Sequence, residues 1–252
     1  MRQFLLVSMT LISSIGCEAA RDKTQSDRRC EHRGTPGATA DCVEPNFPAE
    51  YYVTEALAYF DTLDTEADRA SVPKYHPLVS RWEWPPWLLL TGYTSDAMIE
   101  SSDLLLRYDP STVPERDCRF FETQPFARCY VTFVYERGPC PIYEEFTFDS
   151  QGRTIFIEAW SHLPGLTPIQ GDDTWGERDD FPRLSTRVPG LGTADAVFDL
   201  DNAYLRAAAE TDQELADFAL RATDWTKYWL EALTNAQPDF FGVGCGWETD
   251  AL

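Results

Sequence analysis

The chain has 252 residues, 43% hydrophobic and 13% aromatic, enough apolar material for one folded core with a helical extension. Its 42 acidic against 21 basic residues leave a formal net charge of −21, a potential that repels nucleic acid and removes it from the expected partners. The same surplus is most simply a solubility device, ahead of any specific cationic partner.

Met1 and Arg2 give a short cationic start, and Phe4 to Val7, Leu11, Ile12 and Ile15 form an apolar stretch of signal-peptide length. The stretch is short of the roughly 20 apolar residues that span a bilayer. Residues 1–16 are therefore expected to be an export signal. Its end, Ser14-Ile15-Gly16-Cys17, resembles the bacterial lipobox, with Ser14 where Leu is usual. The resemblance implies cleavage before Cys17 and lipidation of its thiol, each buried CH₂ of an acyl chain contributing about 0.8 kcal/mol to a membrane anchor. The plainer alternative is an ordinary secretory signal with a Cys near its end. Glu18, rather than Asp, follows the cysteine, which in that pattern implies an outer-membrane rather than an inner-membrane location. Residues 17–47, polar and rich in Pro, Gly and Thr, read as the lipidated Cys and a flexible tether.

Seven cysteines are an odd number for an exported chain. Assigning Cys17 to lipid leaves Cys30, Cys42, Cys118, Cys129, Cys140 and Cys245, none in a C-x-x-C pair, and structural disulfides are the default for them. Spacing does not settle the pairing. Local geometry favours Cys30 with Cys42 around a turn-prone segment and Cys118 with Cys129 across a hairpin turning near Thr123-Gln124-Pro125, which leaves Cys140 with Cys245.

From Pro48 the apolar residues Tyr52, Ala56, Tyr59, Phe60 and Leu63 recur at helical spacing, predicting an amphipathic helix over 48–70. Val72-Pro73 ends it. The aromatic stretch Arg81 to Trp87 is expected to lead into a strand at 88–91. A turn with a cap at 92–96 then precedes a short helix over 97–106. Strands are predicted at 119–121, 130–136, 142–148 and 154–161, joined closely enough to be antiparallel, with Gly152 supplying the positive φ of a tight turn. Residues 163–200 are Pro-, Gly- and Asp-rich and read as an irregular acidic excursion. In the C-terminal extension, 201–252, Thr211 to Glu214 have capping-box spacing. Leu215, Phe218, Ala222, Trp225, Trp229 and Leu233 form a stripe expected to dock on the domain.

The segment from Phe146 to Trp160, a strand, an acidic Gly turn and an apolar strand, resembles the last hairpin of nuclear transport factor 2-like and SnoaL-like domains. The order of helix, aromatic loop, short helix and antiparallel strands over 48–162 is also similar to that family. The resemblance implies an α+β fold in which N-terminal helices are wrapped by a curved antiparallel sheet, a cone with room for a pocket. The family uses that cone both in enzymes and in plain binding domains. No catalytic residue carries over.

Nucleophile-elbow, phosphate-loop, zinc-protease and EF-hand signatures are absent, and neither a cofactor nor a metal site is expected. Asp172, Asp173, Glu177, Asp179 and Asp180 read as a solvated acidic loop before they read as a cation site. Alternation along 154–161 puts Phe156, Glu158, Trp160 and, just beyond, His162 on one face. If Asp149 pairs with Arg153, Glu144 lies opposite Glu158. Two carboxylates facing each other beside Trp and His would push one pKa upward, as general acid–base chemistry needs. Against this, the face is simply solvated or a one-residue register change separates the two acids. Arg81, Trp82, Trp84 and Trp87, with Trp160, are candidates to line a sugar or lipid cleft, or else a packed core. Two functions are therefore expected in competition. One is a lipid-anchored envelope domain that binds or interacts without catalysis, touching the membrane through its lipid. The other is a SnoaL-like or isomerase-like envelope enzyme using Glu144, Glu158 and His162.

Overall fold

The computed structural model of the protein describes residues 44–68, 72–84, 92–136, 138–162, 175, 183–185 and 203–223. The expected signal segment, Cys17 and most of the tether lie outside them, as do Cys30, Cys42, Cys245, Trp87 and the acidic residues at 172–180.

Helix α1 (Ala49–Asp61) starts behind Pro48, carries Glu50 in its first turn where the helix dipole favours an acid, and buries Tyr52, Ala56, Tyr59 and Phe60. It is shorter than the 48–70 its periodicity predicts. Asp64 is the reason: its carboxylate accepts from the backbone N–H of Glu66 and of Val113 and pairs with Arg116, while Thr65 N–H donates to Ser111 O. These competing partners draw the chain out of the helix.

Strand β1 (Tyr75–Glu83) follows, then the two-residue β2 (Gly92–Tyr93) and helix α2 (Ser95–Tyr108), whose first turn is capped by Thr94 Oγ1 accepting from Ala97 N–H at 3.3 Å. A meander β3 (Thr112–Phe120), β4 (Ala127–Tyr135), β5 (Gly138–Phe148) and β6 (Thr154–Ser161) completes the sheet, in the order β2-β1-β6-β5-β4-β3. The fold is α+β, with five long strands and the short β2 at one edge among the described residues. Contrary to the all-antiparallel expectation, the sheet is mixed, because β1 pairs in parallel with β6. The aromatic residues at 82–84 run along or just past β1 rather than forming a loop before a strand. Strand β3 also starts earlier than expected, since Pro114, Glu115, Asp117 and Arg119 are exposed and hide its alternation.

Helices α1 and α2 cover one face of the sheet, here the inner face, where Tyr52, Phe60, Leu105, Val131, Phe133, Phe146 and Phe148 form the main core. On the outer face Trp82, Trp84, Tyr143, Phe156 and Trp160 pack with Leu184, Leu215 and Phe218. The last two come from helix α4 (Gln213–Thr223), preceded by α3 (Ala203–Ala209). Asp212 rather than Thr211 caps α4, its Oδ1 accepting from Glu214 and Leu215 N–H at 3.1 and 3.3 Å. The docked stripe is thus present at Leu215 and Phe218; its other members lie outside the residues whose side chains are described. Every residue of β6 is buried, because both faces of this strand are covered. Its nearly unbroken apolar run follows from that position.

Cys118 and Cys129 face each other across β3 and β4 and form a disulfide, with Cα atoms 4.0 Å apart, as the hairpin reading predicts. Cys140 is also disulfide-bonded, to a partner outside the described residues. The β5–β6 turn is tied down by Asp149, which pairs with Arg153 at 2.7 Å and accepts from Gln151 and Arg153 N–H. Gly152 has φ +75, and a Cβ there would meet the Tyr51 and Phe47 rings at 2.7 to 2.8 Å. A Gly152→Ala substitution therefore combines backbone strain with a clash. Urea denaturation is expected to show a loss of about 1–3 kcal/mol, with the m-value unchanged.

Candidate functional site

Glu144 and Glu145 are consecutive on β5, so their side chains leave on opposite faces. Each nucleates a buried charge cluster.

On the inner face Arg81 of β1 reaches across β6 to Glu144, Nη2 to Oε1 at 3.0 Å, and pairs with Glu83 of its own strand at 3.1 Å. Its Nε donates to the Tyr59 hydroxyl of α1 at 2.8 Å. Arg81, Glu83 and Glu144 are 1%, 3% and 0% exposed, so one guanidinium serves two carboxylates out of water. Burial pushes Glu144 up to about 7, with the charge of Glu83 adding to the shift and that of Arg81 opposing it. Burial likewise raises the phenols of Tyr59, Tyr75 and Tyr135 around this cluster.

On the outer face Glu145 stands directly opposite Glu158 of β6. Glu145 pairs with Arg128 of β4 at 3.0 Å and with Arg183 at 2.8 Å. Glu158 accepts from Trp84 Nε1 at 2.7 Å, from Leu184 N–H, and from Ser185 N–H at 3.1 Å. Arg128 also donates to Trp175 O at 2.7 Å, and Trp175 stacks edge-on against Tyr143. Burial, with the charge of Glu145 added, pushes Glu158 up to about 7 as well.

The expected facing of Glu144 and Glu158 is corrected by this register. Asp149 N–H does bond Arg153 O, but a bulge at Ile155 inserts one residue into β6, so that Glu144 pairs with Ala159 and Glu145 with Glu158. The two predicted acids therefore sit on opposite faces of the sheet. His162 lies one residue past β6, about 13 Å along the strand from Glu158 at some 3.3 Å per residue, too far for direct proton exchange. The expected cleft is divided in the same way. Arg81 points inward, whereas Trp82, Trp84 and Trp160, at most 2% exposed, are packed outward in a core with Phe218. Trp82 meets Trp84 and Phe218 edge-on at 6.1 and 5.7 Å between ring centroids.

Glu83, Arg128, Glu145 and Arg183 were not anticipated. The pair Glu144-Glu145 inside an apolar strand was the available signal, since two adjacent acids there must serve both faces. Among the described residues no group of three His, Cys, Asp or Glu side chains is placed to hold a metal ion, and no helix is long and apolar enough to cross a membrane. No protein-family model matches the chain, and no curated protein matches its sequence.

Removing Arg81 takes the shared guanidinium away from two buried carboxylates, so Arg81→Ala is expected to lose about 3–5 kcal/mol in chemical denaturation at neutral pH. Because Glu144 has a higher pKa folded than unfolded, its contribution is complete below the ordinary carboxylate range and is lost as pH rises through about 7. Denaturation midpoints should accordingly fall as pH rises from about 4.5 to about 7 and level off above that. In Glu144→Gln that fall should be shallower, leaving the part due to Glu158.

Proposed function

We propose that this chain is a lipid-anchored cell-envelope protein, attached at Cys17 and held on the outer membrane, whose folded domain is a non-catalytic binding or interaction module of nuclear transport factor 2-like architecture. The observation that carries the non-catalytic reading is how the buried acids are used. Glu145 and Glu158 are occupied by guanidinium and N–H donors that fix one layer to the next, and Glu144 is clamped by Arg81. The proton-transfer alternative needed Glu144, Glu158 and His162 in one pocket, and the sheet lies between the first two.

The architecture is supported by the order of a long helix, a capped second helix and a four-strand meander, with both helices on one face of the sheet. Location is supported by the lipobox-like Ser14 to Cys17 and by the Cys118–Cys129 disulfide, since such bonds persist in oxidising compartments.

Intact mass of the membrane-extracted protein, with and without reduction, tests the anchor. The expected result is loss of residues 1–16, a mass increment of acyl chains that is absent in Cys17→Ala, and a gain of two hydrogens per disulfide on reduction. A full-length chain carrying seven free thiols would overturn the proposal.

A further inference from the structure

We draw no further inference here: the strongest candidate, the buried cluster of Arg81, Glu83 and Glu144 on the inner face of the sheet, in which Glu144 Oε2 has no hydrogen-bond partner among the described residues, belongs to the site already described, and nothing in the structure shows what ligand would meet that oxygen.

Discussion

Two adjacent glutamates in the middle of a strand covered on both sides impose a constraint that most of the structure answers. Alternation sends Glu144 and Glu145 to opposite faces, and each must find compensation without water. Arg81, reaching across β6, supplies it on the inner face, and in doing so fixes β1 and α1 against β5 through Glu144 and Tyr59. Arg128 and Arg183 supply it on the outer face and bring the segment after β6 down onto the sheet. The layers are thus joined by paired charges as well as by apolar packing, and each pair stabilises one arrangement of the layers over sliding alternatives.

The protein carries a large acidic surplus, yet several of its scarce cations are buried. Arg81, Arg128 and Arg183 are 1%, 3% and 7% exposed, and each meets a carboxylate. Burying an ion pair contributes little net stability, because desolvation offsets most of the attraction. Its effect is selective: a misplaced strand would leave a charge alone in an apolar environment. Among the described residues the inner cluster holds two carboxylates on one guanidinium, and burial, with the charge of Glu83 added and that of Arg81 opposing, raises Glu144.

Much of the fold was legible because local signals agreed with the tertiary environment. Tyr52, Ala56, Tyr59 and Phe60 mark the buried face of α1, Gly152 marks a turn only glycine fits, and Cys118 and Cys129 fall at matched distances from their turn. What escaped depended on distant partners. The end of α1 is set by Val113 and Arg116, some fifty residues away in sequence, and the parallel pairing of β1 with β6 has no local signature. The candidate site failed on a single residue. Turn chemistry at Asp149 and Arg153 was read correctly, but the bulge at Ile155 shifted everything beyond it by one position, and in a sheet one position exchanges the faces.

The bond between Cys118 and Cys129 has a further meaning for how copies of this protein behave when crowded. Among the described residues strand β3 is an edge of the sheet, with β4 alone beside it, and an edge strand offers a row of open hydrogen-bonding groups to any neighbour. Its exposed charges at Glu115, Asp117 and Arg119 discourage such pairing. The covalent link does something charges do not: it keeps the edge from peeling away and exchanging into another copy's sheet. Crowded molecules meet often, and a stapled edge lets them collide without trading strands.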